Sequence, residues 1–221
     1  MNYTQFHGNT FLFINKNASE FPLAKNQDVD LTMYYQKLLL ESNETHKTYD
    51  CTFFNKDGSE AELCGNALLG LMKQEGFCEY LFKTKAGEIY GVYDTVGMKL
   101  RMNAFEVIEI NLDWVKKANL LRFNVSIGDD NSESYHEHIV LLGKVHFENT
   151  LNMNLHCVIQ QDANTFEVRC FERGVGETQA CGSGAYAVGV AMMKHFNLDE
   201  VKIVMKGGEY TVKKDWLIIK I

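Results

Sequence analysis

The sequence predicts a mixed α+β fold built from two copies of one unit, and three observations carry that reading. A short segment is written twice, FNKDGSEAELCGN at Phe54 to Asn66 and FERGVGETQACGS at Phe171 to Ser183; each copy places Phe ten residues and Glu four residues before a Cys-Gly pair. The two cysteines, Cys64 and Cys181, stand 117 residues apart. A second echo follows each copy, KAGE at Lys85 to Glu88 and KGGE at Lys206 to Glu209, at a spacing of 121. Around both copies the pattern changes in the same order, from β-type runs to an apolar helical stretch and back. Duplication tends to set equivalent elements across a pseudo-twofold axis. The two cysteines are then expected to face each other across one cleft between the halves.

In chain order, Phe11 to Asn15, Thr48 to Phe54, Ile89 to Tyr93, His138 to Leu142, Asn154 to Gln160, Phe166 to Phe171 and Trp216 to Ile221 are short β-branched or aromatic runs of strand type. Ala67 to Gln74 (ALLGLMKQ) and Ala185 to Phe196 (AYAVGVAMMKHF) carry apolar residues at helical spacing. Each predicts a buried helix that begins just after its Cys-Gly. KAGE and KGGE, each followed by a β-type run, predict hairpins with Gly87 and Gly208 in the turns. Each half is therefore a mixed or antiparallel sheet around a central helix. No Pro-rich or Ser-rich linker separates the halves, and Pro22 is the single proline. A boundary within Asn103 to Asn111 gives residues 1–104 carrying Cys64 and 105–221 carrying Cys181, with the last strand free to pack on the first half.

At 221 residues, with 46% hydrophobic and 23% charged, the chain is long and apolar enough to bury a core. A formal net charge of −7 and the absence of a Lys/Arg run argue against a nucleic-acid or anionic-membrane partner. A small molecule is the expected partner. The N-terminal MNYTQFHGNTFLFINKN lacks a basic region followed by an apolar stretch and a cleavage site, and no apolar run matches a bilayer. That pattern predicts a cytoplasmic location, where six cysteines are thiols rather than a disulfide framework. With no CxxC pair and no His at finger-like spacing from a Cys, no metal site is expected. Cys51, Cys78, Cys157 and Cys170 lack the repeated context and read as core thiols.

Placement gives the two repeated cysteines their chemistry. A cysteine at a helix start sits against the positive end of the macrodipole and near unpaired N–H groups, which predicts a thiol lowered from about 8.5 into a reactive range. Those same N–H groups, opened by the small residues of Cys64-Gly65-Asn66 and Cys181-Gly182-Ser183-Gly184, suit a carboxylate. A thiolate on one face of the neighbouring carbon and a thiol on the other form a two-base device that removes and returns a proton with inversion. The N–H donors stabilise the enolate charge as it develops, and no cofactor is required. Racemisation or epimerisation is the reaction class.

The two segments FNKDGSEAELCGN and FERGVGETQACGSG closely resemble the signature motifs of the diaminopimelate epimerase family, PLP-independent amino-acid epimerases with a duplicated α/β fold. The resemblance implies Cys64 and Cys181 as the catalytic acid/base pair, with Gly65, Asn66, Gly182 and Ser183 binding the carboxylate at the reacting centre. Asn9 in HGNTF resembles the asparagine of the family's HGxGNDF opening, and Gln36 in YYQKLLLE the glutamine of its DQxL segment, so both are expected to line the pocket. Asn55, Asn154, Glu172 and Arg173 match positions the family uses on the non-reacting end of diaminopimelate. That end carries a carboxylate and an ammonium, which call for an Arg fork and a Glu. The resemblance also suggests a homodimer and, with that substrate, a place in lysine biosynthesis.

Departures from the pattern bear on the substrate. The family's GNPH stretch is matched here to Gly143-Lys144-Val145-His146, with Lys in place of Asn, and a segment usual before the Asn154 strand is missing. HGxGND is shortened to His7-Gly8-Asn9-Thr10, and CGNGxR has become CGNALL. A racemase of another amino acid with a basic or imidazole side chain, histidine for example, is the alternative these changes motivate. A silent binding protein of the same fold is the second.

Overall fold

The computed structural model describes residues 2–16, 28–41, 43–109, 121–128, 136–143 and 153–220. The first half consists of β1 (Asn2–Phe6), β2 (Asn9–Asn15), β3 (Leu31–Lys37), β4 (His46–Asn55), β5 (Glu60–Ala61), α1 (Gly65–Glu75), β6 (Cys78–Thr84), β7 (Gly87–Asp94) and β8 (Gly97–Arg101). After β9 (Ala104–Glu109), the second half runs through β10 (Leu121–Ile127), β11 (His136–Leu142), β12 (Leu155–Gln160), β13 (Thr165–Glu172), β14 (Gly176–Thr178), α2 (Gly182–Phe196), β15 (Glu200–Met205), β16 (Gly208–Lys213) and β17 (Trp216–Lys220).

The pairings repeat strand for strand. β1/β2 and β10/β11 are antiparallel, β2/β3 and β11/β12 parallel, and β3/β4 and β12/β13 antiparallel. The short β5 and β14 fold back on β4 and β13; β4/β6 and β13/β15 are parallel across the helix, and the closing hairpins are antiparallel in both halves. The last strand of each half meets the other's: β17 pairs antiparallel with β8, from Trp216↔Arg101 to Lys220↔Gly97. Among the described residues β9 has no counterpart in the repeat, and it pairs with β10.

Burial follows the side-chain alternation of strands that face a core on one side. In β6, Cys78, Tyr80 and Phe82 point inward, and in β13 Phe166, Val168 and Cys170 do the same. The helices are apolar nearly all round, and a helix of that kind belongs inside: α1 is buried from Gly65 to Met72, and α2 is buried along most of its length. One hydrophobic cluster, including Leu68, Met72 and Met102 of the first half and Val188, Met192 and Val212 of the second, spans both. α1 stops at Gly76 (φ 88°), and α2 at Asn197 (φ 54°), whose N–H caps the carbonyl of Met193.

The hairpin turns differ slightly from expectation. Lys85-Ala86 and Lys206-Gly207 occupy the tips, while Gly87 (φ 107°) and Gly208 open the next strand. Gly207 is required by proximity, because a Cβ there would lie 1.9 Å from the His7 carbonyl oxygen.

Candidate active site

Cys64 and Cys181 each cap a helix in nearly the same extended conformation, φ/ψ of −138°/101° and −134°/115°. The two helix starts abut. A Cβ added to Gly65 would stand 3.0 Å from the Ser183 nitrogen, and one added to Gly182 would stand 3.0 Å from the Asn66 nitrogen. Only glycine at both positions lets the backbones approach so closely. The positive ends and first-turn N–H groups of α1 and α2 therefore converge on one small volume. Within it the Gly184 N–H donates to Cys181 Sγ at 3.3 Å, and the Ser183 hydroxyl lies 3.5 Å from the same sulfur. Cys181 is buried and Cys64 partly buried.

The expected lowering of the thiols does not occur. Burial pushes Cys64 up to about 12, and the negative charge of Glu172 adds to it, against the opposing pull of the Ala67 and Asn66 N–H groups. Cys181 is raised well above its ordinary value, by burial first and then by Glu172 and Cys170. Desolvation disfavours the charged form more strongly here than two helix ends favour it. At neutral pH the site holds two thiols.

A buried network spans the halves around these turns. The Tyr210 hydroxyl of β16 donates to Asn66 Oδ1 at 2.7 Å, and Asn66 Nδ2 donates to the Ala180 carbonyl at 3.2 Å. Asn9 Nδ2 donates to that same carbonyl. The residue preceding Cys181 is thus clamped by two amides of the first half. The Asn66 side chain donates one bond and accepts one in this clamp, while its backbone N–H acts on the Cys64 sulfur.

The other expected residues lie at strand ends: Asn55 at the end of β4, Asn154 just before β12, Glu172 at the end of β13 and Arg173 just after it. Glu172 ends β13, accepts the Thr178 hydroxyl, and is raised by burial, with opposing hydrogen bonds from Thr178 and Cys181. Asn154 Oδ1 accepts the Arg173 N–H at 3.1 Å, and Asn154 Nδ2 donates to the Glu137 carbonyl at 3.0 Å. Asn55, buried, donates to Ser59 Oγ at 3.0 Å. The Arg173 guanidinium already has a partner: its Nη2 lies 2.8 and 3.1 Å from the two Glu62 oxygens and donates to the Glu60 carbonyl at 3.3 Å. His136 Nδ1 stands 3.2 Å from Glu62 Oε2. Burial alone would raise the Glu62 carboxyl, but His136, a backbone N–H and Arg173 outweigh it and hold it at about 2.

Gln36 does not join this group. In the β3/β4 register Leu31 faces Asn55 and Gln36 faces Asp50, which puts Gln36 roughly 17 Å along the strand from the Asn55 end. Asp30 stands at the near end instead, its carboxylate accepting the Thr10 N–H at 2.8 Å and its charge acting on Cys64 and Glu172. Lys144, Val145 and His146 lie outside the described residues. Asp30, Glu62, His136 and Tyr210 were not found by sequence reasoning. Glu62 had a signal: it sits two residues before Cys64, where the second copy has Gln179.

Behind α2, His138 and His156 are fully buried with His138 Nδ1 and His156 Nε2 2.7 Å apart, and burial lowers both. The His156 ring occupies the space a side chain at Gly184 would need, 2.2 Å from the ideal Cβ. Among the described residues no cluster of three or more His, Cys, Asp or Glu is placed to hold a metal ion, and no helix is long and apolar enough to cross a membrane.

The family model for diaminopimelate epimerase matches residues 125–216. The diaminopimelate epimerase of Clostridium perfringens is 26% identical over 262 residues, covering 96% of this chain and 92% of that protein. That of Parabacteroides distasonis is 24% identical, with coverage of 96% and 90%. Among solved structures, an Enterococcus faecalis phenazine biosynthesis protein of the PhzF family superposes with a TM-score of 0.64 at 16% identity, over 96% of this chain and 88% of that one. A hydroxyproline epimerase from Agrobacterium vitis superposes with a TM-score of 0.63 at 9% identity, over 99% and 88%. The structural likeness establishes the shared fold.

Proposed function

The chain is a relative of the diaminopimelate epimerases along nearly its whole length, and on that footing we propose that it is a cofactor-independent epimerase inverting an amino-acid α-carbon between Cys64 and Cys181. One observation carries the proposal: the two cysteines cap two helices whose first residues touch, so both sulfurs border the volume into which the helix N–H groups point. The substrate α-carboxylate accepts from the N–H groups at Gly65, Asn66, Gly182 and Ser183. The ammonium on the same carbon favours a thiolate nearby, which offsets part of the burial that keeps both thiols protonated. Glu172, beside Cys181 and raised by burial, is the base that can receive a thiol proton. One sulfur then takes the α-proton, the opposite thiol delivers its own, and the intervening enolate charge is stabilised by the converging N–H groups. Asn9 acts by holding Ala180 rather than by touching substrate.

Diaminopimelate is the substrate favoured by the names of the relatives and by Asn55, Asn154, Glu172 and Arg173. A racemase of another amino acid, histidine included, is the second reading, motivated by the departures from the family pattern at Gly143-Lys144-Val145-His146 and by the shortened segment before Asn154. A cytoplasmic homodimer remains part of the proposal. The discriminating experiment is proton NMR of reduced protein in D2O with LL-diaminopimelate and, in separate tubes, L-lysine, L-histidine and other L-amino acids. Loss of the α-proton signal with growth of the other stereoisomer on diaminopimelate alone supports the first reading. Exchange on a different amino acid transfers the mechanism to that substrate, and silence across the panel with both thiols reduced favours a binding protein.

A further inference from the structure

Matched positions counted back from each cysteine show where the duplicated site stops being symmetric. Two residues before the cysteine stand Glu62 and Gln179, and eight residues before it stand Lys56 and Arg173. The crossing pair Glu62 and Arg173 forms an ion pair between the halves, at 2.8 Å. The reciprocal pair, Gln179 with Lys56, has no carboxylate and cannot. Glu62 is 15% exposed and His136 6%, so the imidazole holds the carboxylate from its buried side, while Arg173 is 30% exposed. Both Glu62 oxygens engage the single nitrogen Nη2. Nε and Nη1, with three N–H groups between them, have no partner among the described residues. Asp57, whose carboxylate packs against Gly174, adds negative charge on the flank of the guanidinium.

We propose that Glu62, steadied by His136, is a positioning residue that holds one corner of the Arg173 guanidinium and aims its remaining N–H groups at a second carboxylate on the substrate. The inference builds on the epimerase reading and deepens it, by naming what selects the far end of the substrate. A guanidinium held by one carboxylate keeps its planar donors pre-oriented, whereas an untethered side chain would lose rotamer freedom on binding. Glu62 thereby assigns to one end of a near-symmetric cleft the task of recognition.

The test is a double-mutant cycle read by calorimetric binding of LL-diaminopimelate to wild type, Glu62→Gln, Arg173→Ala and the double variant, with α-proton exchange followed on the same samples. Glu62→Gln is expected to weaken binding by about tenfold in the wild-type background and by less than about twofold in the Arg173→Ala background, the mark of action through Arg173. kcat at saturation is expected to change by less than about threefold. His136→Gln, which leaves the ion pair in place, is expected to weaken binding by about threefold, and it decides the question if Glu62→Gln fails to fold. Unchanged affinity in Glu62→Gln, or losses that simply add in the double variant, overturns the proposal, as does a wild-type protein that does not bind the dicarboxylate. Binding without α-proton exchange in the wild type instead overturns the epimerase reading and leaves the affinity ratios to judge Glu62.

Discussion

The first and second halves repeat the same strand pairings around the same buried helix, yet they differ at matched distances from their cysteines. Nine residues before the cysteine the first half carries neutral Asn55 and the second Glu172; eight before, exposed Lys56 and ion-paired Arg173; three after, Ala67 and Gly184. Where β16 carries Tyr210, whose hydroxyl holds Asn66, β7 carries the apolar Ile89. The shared features place two sulfurs at two helix ends, the arrangement the proposed inversion would use. The differences supply direction, because a symmetric cleft has no means of telling one end of a substrate from the other.

Removing either member of the symmetric pair is the most severe way to break the comparison. Cys64→Ala and Cys181→Ala are each expected to lower turnover by at least about 10³-fold, since each leaves one face of the carbon without its acid or base; steady-state epimerisation assays check this. Loss confined to one variant would mean that the halves are not equivalent in chemistry.

The next effect lies at Gly184 and Ala67. A Cβ at Gly184 would run into the His156 ring at 2.2 Å, so Gly184→Ala is expected to cost about 3 kcal/mol by denaturant unfolding, as overpacking does. Ala67→Gly, at the matched position of α1, should cost only about 1 kcal/mol, the helix-propensity difference. Equal costs would mean that His156 does not fill the space the asymmetry implies.

Glu62 makes the first half acid-sensitive in a way its counterpart Gln179 cannot. Its carboxyl is held at about 2 in the folded protein, below the ordinary 4.5, so the stability it contributes is present above about pH 4.5 and is lost as pH falls towards 2. Glu62→Gln is therefore expected to be less stable than wild type near neutrality, by about 2 kcal/mol, with the gap closing by pH 2. Unfolding curves across that range measure it, and a gap independent of pH would refute the assignment.

The smallest expected effect concerns Glu172, whose negative charge raises both thiols. Glu172→Gln should lower them and, at a pH below their titration, speed alkylation of Cys64 by a small neutral reagent a few-fold. Asn55→Ala, at the uncharged matched position, should leave the rate alone.

Much of this was readable from the repeat. The two helices and the hairpins at KAGE and KGGE are local features that local pattern reports well, although the helices begin at Gly65 and Gly182, earlier than the expected Ala67 and Ala185. β3 was not found, because LTMYYQK gains its strand character from its neighbours β2 and β4 in the sheet. Gln36 was placed wrongly for a related reason: position along a strand is set by register, which puts Asp30 rather than Gln36 at the cleft. The thiols followed the helix-end argument only in location. How deeply an N-cap is buried is a tertiary property, and here it reverses the direction of the shift. Glu62 and His136 lie 74 residues apart and meet only once the halves have docked.

The central claim is that two sulfurs on opposite faces handle two different protons. The most direct test follows deuterium in D2O at early conversion of whichever stereoisomer the protein accepts. Two thiols acting in sequence put solvent deuterium at the α-carbon of the product while unreacted substrate keeps its proton. Deuterium appearing in recovered substrate as fast as in product, or product retaining the original proton, would point to a single base and end the two-cysteine account.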